Sequence, residues 1–422
     1  MRQIMKAVCM TLIVLSLFAC GRQQGEAGNS APPEETGDSM AVSGESVSGA
    51  ALAKKQMDLT DSEAFAAAED LLQDMTLEEK VRQMFLVDLA DLDSAAGSGK
   101  NMYRMTASVE KALKEQPPGG IYLSEKNIKT EQQARRLIQN IQGSVSGSPL
   151  YIAVEEEGGG EHSLSAQIED LKIAGYKMAR DVGAMPEEQI RQTAGRIAEE
   201  LNSWGINLNL APVADISSEE NRSYVRRCFG ADSDHVSTAV KAYVEGMREY
   251  GLVTTLKYFP GIGTASPAKD AEKEIPQNNK SLMTLRNENF APYTAGIKAG
   301  TDCIMVGNVA LPKLTEQEKL PAFLSRDIVT SLLREELKFD GVIMTSSLSE
   351  AYIIKNYKPD EVAVEAVKSG CDMLVFPSEY ETAYRGVLAA VYAGEIDEKA
   401  VNTAVRRILQ DKIQRGIYIL PE

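Results

Sequence analysis

Eight short apolar runs, each followed by an amphipathic stretch, set the strongest limit on what this chain can fold into. The runs are MFLVDL near Phe85, GGIYL at Gly119, LYIAVEE at Leu150 and INLNLAPVADI at Ile206, then VTTLKYF at Val253, DCIMVGN at Asp302, GVIMT at Gly341 and DMLVFP at Asp372. Between them lie helix-like segments such as EQQARRLIQNIQ, EEQIRQTAGRIAEELNSW, DHVSTAVKAYVEGMREY, SRDIVTSLLREEL and PDEVAVEAVKSG. Continuous apolar runs mark strands covered on both faces, and helical connections mark parallel pairing. Eight such units predict a (β/α)8 barrel of the TIM type. The rival is an open doubly wound sheet, but no G-x-G-x-x-G turn follows the first run, so nucleotide binding lacks its phosphate cradle.

A barrel of this kind carries its site at the C-terminal ends of the strands. Reading off those ends gives Glu155, Glu156 and Glu157, Asp215, Lys257 with Tyr258, Asn308, Ser346, and Pro377 with Ser378. This rim of carboxylates, a lysine and an amide suits a polyhydroxylated ligand. Strand ends are also simply where polar loops begin.

Composition narrows the partners. Hydrophobic residues at 43% and charged residues at 25% are ordinary for a globular chain, whereas the formal net charge of −16 disfavours nucleic acid, which needs a basic face. The start of the chain, MRQIMK followed by AVCMTLIVLSLFAC, reads as a signal peptide: a basic start, then an apolar run too short for a membrane span. Because Cys20 stands where cleavage is expected, residues 1–19 are read as a lipoprotein signal and Cys20 as the lipidated residue. The alternative is an ordinary signal peptide or short anchor in which Cys20 is incidental. Lipidation would place the protein outside the cytoplasm, anchored to a bacterial cell membrane. Residues 20–59, rich in Gly, Ser, Ala, Glu and Pro, lack apolar periodicity and read as a disordered tether to a barrel over 60–422. Cys228, Cys303 and Cys371 are widely spaced, form no metal-ligand pattern, and are expected as buried free thiols.

Six motifs occur in order: MTLEEKVRQMFLV, PLYIAVEEEGGG, INLNLAPVADI, LKYFPGIG, FLSRDIVTSLLREELKFDGVIMTSSL and AVEAVKSGCDMLVFP. Together they resemble glycoside hydrolase family 3, nearest its single-barrel bacterial β-N-acetylhexosaminidase branch, over about residues 60–415. The resemblance implies a retaining glycosidase with a carboxylate nucleophile and a separate acid/base, needing no cofactor or metal. The family's nucleophile is an aspartate after the seventh strand, in a pattern like V-I-x-T-D-x-L. Here that text is VIMTSSL, and the position is Ser346. A serine hydroxyl carries no charge for an oxocarbenium-like transition state and is a poor nucleophile without a base.

The family's acid/base is a histidine on the loop after the fifth strand, in a pattern like K-H-F-P-G-H-G … D-S-H-x-G-x-P. In KYFPGIGTASPAKDAEKEIP, anchored on Pro276, Asp270 aligns with the aspartate and Glu272 with the histidine; Tyr258 and Ile262 replace two further histidines. Glu272 is a chemically competent substitute, and KDAEKE also reads as a solvated charged loop. The sugar-binding pattern D-x-E-G-G-R-V-x-R becomes EEEGGGEHS, with Glu155 for the aspartate and Gly160 and Ser163 for the two arginines. Losing both removes charge-assisted donors. His162 in this loop is read as a loop residue rather than a catalyst. Lys257, Arg227 and Asp215 match family positions, and Asn308 ends the sixth strand where the family has a polar residue facing the pocket.

Three readings follow. The first is a degenerate glycosidase that keeps a pocket for a sugar or glycan-like ligand. The second is a working hydrolase with Glu272 as acid/base and Glu350, or one of Glu155 to Glu157, as the anionic partner. The third is a non-enzymatic scaffold that uses the barrel exterior.

Overall fold

The computed structural model describes residues 59–93, 100–159, 163–168 and 177–420. The signal peptide, nearly all of the tether, Cys20, Gly160 and His162 lie outside the described residues. The eight runs become eight parallel strands: β1 Phe85–Asp88, β2 Gly120–Tyr122, β3 Tyr151–Val154, β4 Leu208–Asn209, β5 Val253–Phe259, β6 Cys303–Val306, β7 Val342–Thr345 and β8 Leu374–Val375. Each of β1 to β7 pairs in parallel with its sequence neighbour, and β1 pairs with β8. The last seam, β7 to β8, rests on a bridge between Met344 and Met373 and on the Thr345 amide donating to the Met373 carbonyl at 3.0 Å. The result is the (β/α)8 barrel that the alternation predicts.

The helices fall where the periodicity places them: Glu131–Ser144, Glu187–Trp204, Ser233–Glu249 and Pro359–Ser369. Thr-x-x-Glu pairs start two others, with Thr60 and Glu63, and Thr76 and Glu79, each closing a reciprocal capping box. SRDIVTSLLREEL winds as a wider π-type helix over Asp327–Glu336. The run INLNLAPVADI gives a shorter strand than its apolar length suggests. Pro212 has no N–H for the ladder, so pairing continues past it only as a bridge from Val213 to Lys257.

Two packed layers result. Leu86, Tyr151, Leu208, Val253, Met305, Val342, Met344 and Met373 fill the barrel, and a larger layer joins strands to helices. Ile408, from the C-terminal helix Glu398–Gln414, belongs to the inner layer, so this helix closes the floor of the barrel. Cys228, Cys303 and Cys371 are free and buried. No described helix is long and apolar enough to cross a membrane.

Candidate active site at the C-terminal rim

The end of β3 supplies three consecutive glutamates, and the pleat sends them to different tasks. Glu156 is fully buried and accepts from the amides of Gly158 and Ser165, each at 2.9 Å. The Asn209 side chain clamps its backbone from β4, accepting from the Glu156 amide and donating to its carbonyl. Glu156 therefore shapes the loop. Glu155 and Glu157 turn toward Lys257 on β5, whose ammonium donates to Glu157 at 2.8 Å and to Glu155.

Arg227 completes the cluster. Its Nε and Nη2 both donate to the Glu157 carboxylate at 2.7 Å, and Nη2 also donates to the Tyr258 hydroxyl at 2.6 Å. Its guanidinium lies 4.8 Å from the Tyr224 ring centre and 5.3 Å from that of Tyr258. Such a bidentate, ring-stacked fork is a geometry that lysine cannot reproduce. Burial alone would raise the Glu157 carboxyl, but Lys257 and Arg227 outweigh it and hold the group below the usual carboxylate range. Burial would likewise lower Lys257, and Glu155 and Glu157 overcome it and keep the ammonium charged. Two cations thus face two carboxylates, and the cluster is internally neutral.

Asp215 sits beneath the rim. It accepts from the amides of Ile262 and Gly263 at 2.7 and 2.8 Å and from the Tyr293 hydroxyl at 2.9 Å. Burial pushes its carboxyl up to about 7, against the pull of these donors. The turn it braces needs a glycine: Gly261 has φ +124°, and a Cβ there would lie 2.3 Å from the Asn289 side chain. Asp215 therefore holds the loop after β5 in place.

Ser346 follows β7 and is 1% exposed, its amide bonded to the Val306 carbonyl at 2.9 Å. Four residues on, Glu350 caps the helix Ala351–Asn356 by position but sends its carboxylate across to Asn308, whose Nδ2 donates to it at 2.5 Å. Arg227 and Lys257 are electrostatic neighbours of this carboxyl, which places it over the same rim. Glu350 keeps contact with solvent, yet the crowded wall around it raises its pKa, with Asn308 and the two cations opposing. On the far side, burial and then Asp91 push Asp88, at the end of β1, up to about 6. Tyr122 packs on Phe376 with ring centres 4.6 Å apart. Phe376 follows β8 with φ +49°, a left-handed conformation uncommon for an aromatic residue.

The acid/base loop behaves otherwise. Glu272 is exposed; its amide donates to Asp270, and its carbonyl accepts from Asn356. Asp270 is held by Lys273 at 2.7 Å, which lowers its pKa. None of these bonds reaches the Lys257 cluster. The structure therefore brings together Glu155, Lys257, Tyr258 and Arg227, sets Asn308 on Glu350, puts Asp215 below, and leaves Asp270 and Glu272 on the surface. The sequence names Glu157 only as one of three rim glutamates and does not single out its pivotal place, although it is the glutamate of the D-x-E-G-G pattern. Among the described residues no group of three or more His, Cys, Asp or Glu is disposed to hold a metal ion.

Comparison with known proteins accords with this architecture. Residues 76–410 match the family described as glycosyl hydrolase family 3 N terminal domain. A beta-N-acetylglucosaminidase/beta-glucosidase of Cellulomonas fimi is 27% identical over 71% of this chain and 53% of its own length, so the chain spans about half of that relative. A beta-hexosaminidase of Stenotrophomonas maltophilia is 30% identical over 58% of this chain and 72% of its own. Among solved structures, a family 3 beta-N-acetylglucosaminidase from Paenibacillus superposes with a TM-score of 0.71 at 28% identity, covering 81% of this chain and 63% of that one. A beta-N-acetylhexosaminidase from Beutenbergia cavernae gives 0.68 at 26% identity, covering 80% and 98%. With the barrel, its rim and these matches in hand, the chain belongs to glycosyl hydrolase family 3, through that family's N-terminal barrel domain.

Proposed function

We propose that this protein binds a sugar or glycan-like ligand at a rim that no longer hydrolyses it, and that lipidated Cys20 holds it outside the cytoplasm on a bacterial membrane. One observation carries the reading. The polar cluster of Lys257, Arg227, Glu155 and Glu157 is complete, while the position after β7 offers the buried hydroxyl of Ser346 and the loop after β5 keeps Glu272 in solvent. Binding groups persist where reacting groups do not. A retaining mechanism needs two carboxyl groups flanking one bond, and a misplacement of about 1 Å can cost about a hundredfold.

Leu59 and Asp61 line a cavity of about 400 Å³ with Asp302, Asp340 and Gly341, which precede β6 and β7. The described chain thus begins at the end of the barrel opposite the rim.

Glu350 supports a second reading, a hydrolase with relocated carboxylates. Its carboxyl lies over the rim, four residues beyond Ser346 at the cap of the helix Ala351–Asn356, and its raised pKa suits an acid. The test is turnover of 4-nitrophenyl β-N-acetylglucosaminide and β-glucoside by the purified protein, beside binding of the corresponding free oligosaccharides. Binding without turnover is the expected result. Turnover at an ordinary enzymatic rate, abolished by Glu350→Gln, would replace the first reading with the second.

A further inference from the structure

We infer that the ligand carries a free amino group, its ammonium seated against the Glu350 carboxylate and the amide oxygen of Asn308. The inference rests on the glycan-binding reading and specifies the chemistry of the saccharide.

The charge balance is the first argument. Lys257 and Arg227 are taken up by Glu155 and Glu157, two cations against two anions. Glu350 stands beside this neutral cluster as an additional acid. Around Tyr122 lie Asp88 and Glu125, with Lys126 the opposing cation near Asp88. Among the described residues, Glu350, Asp88 and Glu125 thus outnumber Lys126 around the rim, and Asp91 adds to the negative charge at Asp88. The family pattern would supply arginines at 160 and 163, and this chain has Gly160 and Ser163 there.

The second argument is an acceptor without a donor. Asn308 is 4% exposed; its Nδ2 is spent on Glu350, and its Oδ1 has no partner. A buried, unmatched amide oxygen costs about 1–3 kcal/mol, so an arriving donor is favoured. Carboxylate and amide oxygen together form a pair of acceptors. An ammonium offers three donors and no acceptor, and so matches the pair. An acetamido group would offer one N–H and would also turn a carbonyl oxygen toward acceptors. A hydroxyl would match without neutralising Glu350. The crowding that raises the Glu350 pKa would be relieved by a cation at this place, with Arg227 and Lys257 already held by their own partners.

The experiment is calorimetric binding of three trisaccharides of matched linkage: β-1,4-glucosamine, its fully N-acetylated counterpart and cellotriose, near neutral pH and at physiological salt. The amine-bearing trimer is expected to bind at least about tenfold tighter than either of the others. In Glu350→Gln the ratio is expected to fall toward one, and Asn308→Ala should lower it as well, with folding of both checked by thermal melting. Equal or tighter binding of the acetylated trimer overturns the inference and leaves the glycan-binding reading standing. Binding of none of the three sinks that reading and the inference with it. A formal net charge of −16 attracts any cation, so Glu245→Gln, on the outer helix Ser233–Glu249, is the control. A loss there equal to that in Glu350→Gln would reveal adsorption and overturn the inference.

Discussion

The two ends of this barrel both contain buried ion clusters, and they differ in what the clusters face. At the floor, Asp302 accepts from Arg248 at 3.0 Å, from Arg415 and from the Thr254 amide at 2.9 Å. Asp372 is held by Arg334 at 2.5 Å and Arg407 at 3.0 Å, and Asp411 accepts from the Tyr151 hydroxyl at 2.5 Å. Arg407, Asp411 and Lys412 come from the last helix and Arg415 from the residue after it, so these bonds fasten the chain end to the strands. At the rim, the Arg227–Glu157–Lys257 cluster ties β3 to β5 but leaves Glu350 in contact with solvent and Asn308 with an unmatched oxygen. Perturbed pKa values occur at both ends and do not by themselves mark a functional site. An unmatched buried amide oxygen occurs at both ends too, on Asn308 at the rim and on Asn402 of the last helix. What distinguishes the rim is that its unmatched oxygen stands beside Glu350, a carboxylate in contact with solvent.

The floor should respond to mutation through stability alone. Asp302→Ala removes the partner of two arginines and a backbone amide, and is expected to cost about 3–5 kcal/mol by chemical denaturation. Oligosaccharide affinity should not change; a matching loss of affinity would show that the two ends are coupled and would break the comparison. Lys412 gives the next effect. It is fully buried, donates to Gln83 at 2.9 Å, and burial lowers its pKa to about 7. An unfolded lysine titrates near 10.5, so from about pH 7 upward the unfolded chain binds more protons than the folded one. Stability should therefore rise with pH over this window, by up to about 1.4 kcal/mol per pH unit. Asp411, whose pKa burial raises, opposes this trend and is itself pulled down by the Lys412 charge, so the difference between the protein and Lys412→Met reports the lysine together with its effect on Asp411. Denaturation curves between pH 7 and 9 should show the slope flatten in the variant. An unchanged slope would mean that Lys412 stays charged beneath Tyr151.

The rim should respond through binding. Arg227→Met leaves Glu157 with Lys257 alone and removes the fork that joins Glu157 to Tyr258. The expected loss is about 2 kcal/mol in oligosaccharide affinity, with a smaller loss of stability because Lys257 still neutralises Glu157. Full affinity in a folded variant would mean that the cluster is scaffold, like the floor, and the ligand site would have to be sought elsewhere.

The sequence made the architecture legible because burial on both faces of a strand writes an unbroken apolar run, and eight such runs admit few folds. Lys257 and Glu155 could be placed for the same reason, since a strand end in a barrel has a known direction. The remainder depended on contacts between distant segments. Glu350 meets Asn308 across 42 residues of chain, and no local pattern records that meeting. Glu155, Glu156 and Glu157 are chemically alike, and the middle one turns inward only because the pleat directs it there, where the Gly158 and Ser165 amides hold its carboxylate and Asn209 clamps its backbone. Glu272 aligned with an acid/base position, but alignment on a loop fixes no side-chain direction, and its carboxylate lies in solvent. The floor cluster went unread because an aspartate at the start of a strand, as in DCIMV and DMLVF, looks like ordinary loop polarity.

The smallest expected effect is at Ser346, and it is the sharpest test of whether the rim has lost its chemistry. Ser346→Asp restores a carboxylate after β7 and nothing else. A nitrophenyl leaving group departs with little protonation, whereas a sugar leaving group needs an acid, whose absence costs about 10²–10⁴-fold. The variant is therefore expected to show trace turnover of 4-nitrophenyl β-N-acetylglucosaminide and none of the corresponding disaccharide. Trace activity on the aryl substrate alone would mean that the binding cluster still aligns a sugar with the position after β7. Hydrolysis of the disaccharide would mean that an acid is already in place. Glu350, whose pKa is raised and which lies four residues from the new carboxylate, would then be that acid, and the rim would stand one side chain short of a working site.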